Sequence, residues 1–439
     1  MNSSPVRAII LFFLAVIFIG TVLLCLPFSR QSDTVLSILT CLFTATSAVC
    51  VTGLSVVDIG TYYTTFGQWI ILLLIQVGGL GYMLVSTGLG LLIGKLALKD
   101  RKIMQEVFDI SSFNELFKLL KKIIIIAIAV EIIGAVILTF VFIKNYSFGR
   151  SVYYGLFHSV SAFCNAGYSI FSTNLEGFAQ NPVVLYTIAV LIILGGLGFF
   201  VLVDMIDKLR GKNIRLTFHS RVVLWMTAGL IFFGFCSFFL SELTVFILND
   251  KSMPYMVNNS LFHVITARTA GFNSIPAGLI TNFGAFVIIL LMFIGGAPGS
   301  TAGGVKVTTI PLVFVFMRSL LRGNNSYPFA GRNIDMDLIK KSLAVFILMI
   351  VFVLASITAL LWTEQNIEPL KVVFEAVSAC CTVGLSLGIT SSVSDIGKML
   401  LIFSMFIGRV GTVTVLIYLM NTKSAQGNIK YPDAKVLIA

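Results

Sequence analysis

The chain has 439 residues, of which 57% are hydrophobic and 11% are charged, and its mean hydropathy is +1.00. Soluble proteins carry roughly 25% charged residues, so this chain has too few charges to cover a water-exposed surface. The composition excludes a cytosolic enzyme, a disordered chain and a disulfide scaffold, and it indicates a polytopic membrane protein.

Eight segments are long and apolar enough to cross a hydrocarbon core, which takes roughly 20 residues of helix. In chain order they are 8–27, 66–94, 123–143, 181–203, 222–241, 274–305, 342–363 and 399–421. Glu131 interrupts the third segment and Arg409 interrupts the eighth. The first segment could be a signal peptide, since Arg7 precedes it. No small-residue cleavage site follows it, however, so we interpret it as a retained helix. We therefore predict eight retained spans.

The basic residues collect in every second loop, at 95–122, 208–221 and 318–341, and near both termini. Loops rich in Lys and Arg stay on the cytoplasmic side. This pattern predicts a multi-pass protein of the plasma (inner) membrane, with the lipid bilayer as its surroundings and both termini cytoplasmic. The net charge of +11 then reflects topology, and no nucleic acid partner is expected.

Four short loops between the spans resemble one another, at 34–57, 151–172, 261–275 and 372–393. Each has a Phe, a Ser/Thr-Ala pair beginning four residues later, and then one glycine, with one residue deleted in the third loop. The loop glycines are Gly53, Gly167, Gly271 and Gly384. Because each loop is too short to span, we predict that it enters the membrane as a short helix and returns.

A repeat of this kind sets the architecture. We predict an all-α polytopic membrane protein with four helix–pore-loop–helix repeats around a central, potassium-channel-like pore. The repeats are 1–94, 123–207, 222–320 and 341–421, separated by cytoplasmic loops at 95–122, 208–221 and 321–340 and followed by a cytoplasmic tail at 422–439.

The four loops carry the features of an ion filter. Glycine adopts φ > 0, which lets consecutive carbonyl groups point the same way, and rings of carbonyl oxygens replace the water shell of K⁺. The end of each short helix would aim its negative dipole end at a cation. The candidate filter residues are Val51, Thr52, Gly53, Asn165, Ala166, Gly167, Thr269, Ala270, Gly271, Thr382, Val383 and Gly384.

The second helix of the third repeat contains five glycines and a proline within residues 295–304 and cannot remain a regular helix. One interpretation is a packing kink, and the other is an intramembrane loop that lies under the filter and gates it. For the glycine pairs of the first two repeats, Gly78-Gly79 and Gly195-Gly196, close helix packing is the simpler interpretation. Arg409 replaces the corresponding repeat glycine in the fourth repeat, and a buried arginine in a membrane is expensive and usually functional.

These motifs together resemble the potassium-uptake superfamily called Trk, Ktr and HKT, and in particular the bacterial Ktr-type membrane subunit. The resemblance covers the whole chain, down to residues 428–433. It implies a K⁺ filter, because in the plant branch a serine in place of the first glycine accompanies Na⁺ selectivity, and this chain has Gly53. It also implies a homodimer and a separate cytosolic ring with nucleotide-binding domains as a regulatory partner.

In that family the Gly-rich loop is the gate, which here would comprise Gly299, Ser300, Thr301, Ala302, Gly303 and Gly304. We predict that Arg409 faces the pore below the filter, bonds to this loop and holds it closed. Lys306 would be its companion on the cytoplasmic side, with snorkelling to the interface as the alternative.

Other polar residues have weaker assignments. His158, His263 and Glu375 share one repeat position with Thr44, which suggests support of the pore helices. Glu131 is a candidate for pairing within the bundle or for ion coupling. The acids at 58, 176, 364 and 368 are candidates for attracting cations at the pore mouth, with plain solvation as the alternative.

Three alternatives remain at this point. Na⁺-coupled K⁺ symport would replace channel-like flow, and the sequence does not separate the two. An unrelated secondary transporter would have two inverted halves, whereas this chain has four parallel units. A membrane enzyme would need clustered acids and histidines inside the spans, so we expect no enzyme. No covalently bound cofactor is expected, K⁺ is expected in the filter, and Na⁺ is the second candidate ion.

Overall fold

The computed structural model describes residues 5–31, 37–92, 113–211, 215–323 and 326–411. Most of the predicted loop 95–122, the last part of the final predicted span (412–421) and the predicted tail 422–439 lie outside these ranges. Within them the fold is almost entirely α-helical. A short hairpin of β1 (Pro328–Phe329) and β2 (Arg332–Asn333) lies between the third and fourth repeats.

In the described residues of the first two repeats there are eight helices, given in chain order. They are α1 (Pro5–Cys25), α2 (Ile38–Val49), α3 (Ile59–Tyr62), α4 (Thr65–Leu92), α5 (Phe113–Phe142), α6 (Phe148–Phe163), α7 (Pro182–Gly196) and α8 (Phe199–Leu209).

In the last two repeats the described chain, which ends at residue 411, has seven helices. They are α9 (Phe218–Leu248), α10 (Met253–Thr266), α11 (Asn282–Phe293), α12 (Thr309–Leu321), α13 (Met336–Thr363), α14 (Pro369–Cys380) and α15 (Asp395–Val410). Short 3₁₀ turns occur at Pro27–Ser29, Glu176–Phe178 and Ala277–Leu279.

Each repeat has a long first helix, a short re-entrant helix and a second helix. The re-entrant helices are α2, α6, α10 and α14, and each one packs against the first helix of its own repeat. The second helix of each repeat packs against the re-entrant helix of the next: α4 on α6, α7 on α10 and α11 on α14. The second helix of the last repeat, α15, packs on α2 of the first. The four units therefore close into a ring.

Three helices within the described ranges are long and apolar enough to cross a membrane, namely Leu120–Phe142, α9 and α13. The pair α7 and α8 forms a fourth such segment if it is counted as one bent span. The other predicted spans contain the described helices α1, α4, α11 and α15, whereas the short apolar helix α12 follows the predicted span 274–305 and lies outside it. The membrane assignment thus agrees with the helices, although two predicted spans are not continuous.

The predicted continuous span at 181–203 is wrong. Helix α7 ends at Gly196, α8 starts at Phe199, and the two axes differ by 104°. Gly198 between them has φ +86°, a conformation that only glycine adopts readily. The predicted span at 274–305 is also shorter than expected, because α11 covers only Asn282–Phe293 and non-helical chain follows from 294 to 308.

A buried carboxylate joins the first and second helices in each of the last two repeats. Glu242 accepts hydrogen bonds from the backbone N and Oγ1 of Thr281 at 3.1 and 2.7 Å. Glu364 accepts the equivalent bonds from Ser394, with the backbone N at 3.2 Å. Thr281 and Ser394 are in turn the N-caps of α11 and α15. Glu364 is 7% exposed, so its prediction as a solvated acid at the pore mouth is wrong.

Candidate functional site

The segment before each loop glycine has the same backbone conformation in all four repeats. Two residues per segment have positive φ: the glycine, at 68° to 93°, and the non-glycine residue two positions before it, at 51° to 69°. The non-glycine members are Val51, Asn165, Thr269 and Thr382. Such alternation turns successive carbonyl groups toward the same side of the chain. Positive φ is uncommon outside glycine, so four matching cases indicate a conformation imposed by the assembly.

The four glycines lie against one another in a closed ring, here called the glycine ring: Gly53, Gly167, Gly271 and Gly384. A methyl group on each glycine would clash with a carbonyl oxygen of the next repeat, and on the last glycine with the first repeat. The oxygens concerned belong, in order, to Ala166, Ala270, Val383 and Thr52. Glycine is therefore required both for its dihedral angle and for this close approach.

A hydroxyl from each re-entrant helix holds the segment that follows it. Ser47 accepts from the Gly53 backbone N at 3.1 Å, and Ser378 accepts from Gly384 N at 3.0 Å. Thr266 accepts from Phe272 N at 2.8 Å, whereas in the second repeat Ser161 donates to the Tyr168 carbonyl at 2.8 Å. These hydroxyls belong to the Ser/Thr members of the repeat motif, for which no individual role was predicted.

A second position on the re-entrant helices holds the chain beyond the glycines. His158 Nε2 lies 2.9 Å from Ser169 Oγ, and His263 Nε2 accepts from Ile275 N at 3.1 Å. Glu375 accepts from Ser386 Oγ at 2.7 Å and from Thr390 Oγ1. In the first repeat Thr44 Oγ1 donates within its own helix, to Thr40 O at 2.9 Å. Three of the four side chains at this position thus support the loop, in agreement with the prediction.

Above the glycine ring, on the side formed by residues that follow the glycines, the structure has two open cavities of about 310 and 330 Å³. Asn174 donates to the Gly167 carbonyl at 3.4 Å, and Asn273 donates to Glu176 Oε1 at 3.0 Å. Burial raises the pKa of the Glu176 carboxyl. Two of the acids predicted at the pore mouth line these cavities. Glu176 lines the cavity of about 330 Å³. Asp58 lines the cavity of about 310 Å³ and also caps α3.

Below the glycine ring lies the non-helical segment 294–308, here called the break loop. Its base is paired in parallel, with Gly295 N to Val305 O at 2.9 Å and Val307 N to Gly296 O at 3.1 Å. Its apex bonds to the broken second span of repeat two: Ala297 N donates to Gly196 O at 2.9 Å. The break between α7 and α8 therefore makes room for the break loop, so Gly195 and Gly196 do more than pack helices closely.

The apex of the break loop also contacts the ends of the re-entrant helices. Thr301 Oγ1 donates to the Phe163 carbonyl at 3.2 Å. Gly303 lies so close to Thr382 that a methyl group would clash with the Thr382 hydroxyl. Because Phe163 and Thr382 precede the loop glycines, the apex lies on the opposite side of the ring from the two open cavities.

Arg409 links the break loop to another repeat. Its Nη1 donates to the Thr301 carbonyl, and its Nη2 donates to the Gly78 carbonyl at 2.7 Å. Lys306 Nζ donates to Ala302 O at 2.7 Å. Both cations line a cavity of about 300 Å³ together with the break loop, Val345 and Met349. The predicted gate residues 299–304, Lys306 and Arg409 are thus brought together, and Lys306 bonds to the loop rather than extending freely to the interface.

Arg268, in the predicted loop 261–275, is a buried cation close to the break loop. It lies two residues after the end of α10, is 8% exposed, and its Nη2 donates to the Gly295 carbonyl at 3.2 Å. The signal for it was present in the sequence. Three residues before the loop glycine the other repeats have a cysteine, at 50, 164 and 381.

Glu131 lies in a buried polar cluster between the first two repeats. It accepts two bonds from Gln76 Nε2 at 3.0 and 3.1 Å, and Cys164 Sγ lies 3.5 Å from Gln76 Oε1. This agrees with pairing inside the bundle. Within the part of the chain that the structure describes, no group of three or more His, Cys, Asp or Glu residues is arranged to hold a metal ion.

Comparison with known proteins identifies the family at this point. The model of the TrkH family, described as cation transport proteins, matches residues 3–429. The chain belongs to this family. It is 38% identical to the Ktr system potassium uptake protein B of Bacillus subtilis over 99% of this chain and 97% of that protein. It is 35% identical to the potassium/sodium uptake protein NtpJ of Enterococcus hirae, with the same coverage.

The fold of the TrkH family is also confirmed by structure. The crystal structure of the potassium transporter TrkH from Vibrio parahaemolyticus superimposes with a TM-score of 0.77 at 19% identity, over 95% of this chain and 85% of that one. The predicted all-α membrane fold and the predicted family are therefore correct. The family consists of cation transporters rather than enzymes.

Proposed function

We propose that the chain mediates K⁺ uptake across the plasma membrane through one pathway that passes through the glycine ring. The observation that carries this proposal is the ring itself. Its four backbone segments have the same conformation, and each glycine lies against a carbonyl oxygen of the next repeat. The relatives at 35% to 38% identity are named as potassium or potassium/sodium uptake proteins, which supports K⁺ as the substrate.

In this proposal the carbonyl oxygens of the filter segments bind the dehydrated K⁺ ion. The filter residues are Val51, Thr52, Gly53, Asn165, Ala166, Gly167, Thr269, Ala270, Gly271, Thr382, Val383 and Gly384. Carbonyl rings replace the hydration shell, and entry is favourable only if the ring stays in place. The hydroxyls of the re-entrant helices and the position of Glu375 supply that rigidity. With one glycine per repeat, the row of ion sites is short.

The break loop is the gate in this proposal. Its apex lies directly below the filter, and Arg409 holds it through the Thr301 carbonyl. The guanidinium charge also opposes cations: at an effective dielectric constant of about 20, a unit charge roughly 8 Å from the path costs a cation on the order of 2 kcal/mol. Opening requires that Arg409 release Thr301 and that the apex move into the cavity beside Lys306.

The regulatory partner belongs to this proposal as well. Relatives named as components of a Ktr system support assembly with further subunits. We propose a homodimer that docks a cytosolic nucleotide-binding ring, with the basic loops and both termini on the cytoplasmic side. Binding of the ring would bias the gate by moving the helices that carry the break loop.

Na⁺-coupled K⁺ uptake is the second candidate function, because a relative at 35% identity carries a potassium/sodium name. The experiment is growth rescue of a K⁺-uptake-deficient bacterial strain at low K⁺, with and without Na⁺, with a Ktr-type regulatory subunit coexpressed. Rescue in both conditions supports uncoupled flow, and rescue only with Na⁺ supports coupling. No rescue in either condition, with the protein present in the membrane, would contradict the proposal.

A further inference from the structure

The third repeat carries a buried cation at a position where the other repeats have none. Arg268 lies two residues after the end of α10 and three residues before Gly271, and it is 8% exposed. The same position is cysteine in the other three repeats. A buried arginine at membrane depth is costly, and such residues are usually held by specific partners and serve a function. The fourfold pattern is therefore broken at one position, in the repeat that also carries the break loop.

Arg268 contacts the base of the break loop and not its apex. Its Nη2 donates to the Gly295 carbonyl at 3.2 Å. Gly295 belongs to the paired base, where its N donates to Val305 O at 2.9 Å and Val305 N donates to Phe293 O at 3.1 Å. Arg409 in contrast holds Thr301, at the apex. Two arginines from different repeats thus hold two different parts of one loop.

A second buried polar group faces the same junction. Arg268 Nε and Thr227 Oγ1 are both buried and have no hydrogen-bond partner within the described ranges. Both residues line a cavity of about 10 Å³, together with Gly196 and Gly296. That volume is close to what one water molecule needs, and a buried water requires two to four polar partners. Because a guanidinium group has five N–H donors, Arg268 can serve Gly295 and a water at once.

We propose that Arg268 is a positioning residue that fixes the base of the break loop, directly at Gly295 and through one water molecule shared with Thr227. The base at 294–296 and 305–307 is then the fixed hinge of the gate. Residues 297–304 are the moving part, which Arg409 holds and releases. This proposal rests on the gating function proposed above, and it adds Arg268 to the residues that hold the break loop.

Three variants in purified protein test the proposal. Arg268→Met removes the charge and every donor, Arg268→Lys keeps the charge with a different donor geometry, and Thr227→Val removes only the hydroxyl. Thr187→Val is the matched control, because its hydroxyl bonds within its own helix to Val183 O at 2.7 Å. The first measurement is hydrogen–deuterium exchange of the amides of Gly295, Val305 and Val307. The second is rubidium influx into liposomes.

In Arg268→Met the break loop loses a hydrogen bond to a charged group, so exchange of the base amides should rise about tenfold. In Thr227→Val it should rise about threefold, because only the hydroxyl is lost. Influx at saturating rubidium should rise in both variants, and the KM should stay within about twofold because the filter is untouched. Arg268→Lys should fall between wild type and Arg268→Met, and the control should match wild type.

Exchange of the base amides at the wild-type rate in Arg268→Met and Thr227→Val would overturn the proposal. A changed KM or ion preference with unchanged base exchange would also overturn it, because it would place the role of Arg268 in the filter. If Arg268→Met does not fold, Thr227→Val decides alone by the same two measurements. If wild type and Arg409→Ala both fail to transport, the proposed function fails, while the exchange measurement still reports whether Arg268 positions the loop.

Discussion

Arg409 donates a hydrogen bond from Nη1 to the carbonyl oxygen of Thr301, so a helix of the fourth repeat holds a loop of the third. The other terminal nitrogen of the same guanidinium donates to Gly78 O at 2.7 Å, in the first repeat. One side chain therefore joins three repeats directly below the glycine ring. Any movement of the apex of the break loop changes this contact, which makes Arg409 the sharpest position for a test of gating.

Arg409→Ala should raise rubidium influx about tenfold or more, because hydrogen bonds to a charged group contribute roughly 1.5–3 kcal/mol each. Arg409→Lys should give an intermediate influx, since it retains the charge and loses the second contact. Influx into liposomes is the measurement, and Arg150→Ala, an exposed site outside this cluster, is the control. Equal influx in wild type and Arg409→Ala would contradict a closing role.

Gly271→Ala should abolish K⁺ uptake. The added methyl group would clash with the Val383 carbonyl, and φ at this position is +77°. Gly278→Ala is the matched control in the same repeat, because a methyl group there meets nothing within 4 Å. The measurement is growth at low K⁺ with the amount of membrane-inserted protein quantified. Wild-type growth of the Gly271 variant would show that the ring is not in the pathway.

Glu375→Ala should weaken K⁺ uptake at low K⁺ and reduce discrimination against Na⁺. It removes the acceptor for the Ser386 and Thr390 hydroxyls, which hold the chain after Gly384. Glu375→Gln keeps an acceptor oxygen and should retain most of the activity. The measurement is rubidium influx in competition with K⁺ and Na⁺. An exposed acid away from the predicted pore mouth serves as the control, Asp337→Ala. An unchanged competition profile in Glu375→Ala would exclude a role in the filter.

Glu364→Ala should lower the melting temperature of the purified protein, because it removes the carboxylate that accepts from the backbone N and Oγ of Ser394, the N-cap of α15. Hydrogen bonds to a charged group contribute roughly 1.5–3 kcal/mol. Gly397→Ala should destabilise the same contact, since a methyl group there would clash with Glu364 Oε1. The double variant should be less destabilised than the sum of the two single variants. A strictly additive result would indicate that the two residues do not share one contact.

The repeat pattern predicted much of the fold and of the candidate site. The Phe, Ser/Thr-Ala and Gly spacing placed the four re-entrant helices and the four glycines correctly. The five glycines and one proline near residue 300 predicted that the second helix of the third repeat is interrupted. Arg409 stood out because it replaces a repeat glycine inside an apolar segment. Each of these signals is local in the chain, since it depends on spacing within about ten residues.

Other features depended on contacts between distant repeats. The break at Gly198 exists because the loop of the next repeat occupies the space that a straight helix would fill. The left-handed conformation of Val51, Asn165, Thr269 and Thr382 carries no residue signature, because contacts between the repeats impose it. Glu364 was a candidate for the pore mouth or for plain solvation, since nothing in its neighbouring residues reveals the partner that buries it.

The sequence by itself determined that this is a membrane protein of four repeats with one glycine per loop, because hydrophobic spans and internal repeats are visible in the composition and spacing of the residues. Only the tertiary structure decided how the four units close, which carbonyl each glycine meets and which arginine holds which part of the break loop. Those relationships join residues that lie up to 331 positions apart, as in Arg409 and Gly78. Such pairings follow from three-dimensional packing, and no local pattern in the chain predicts them.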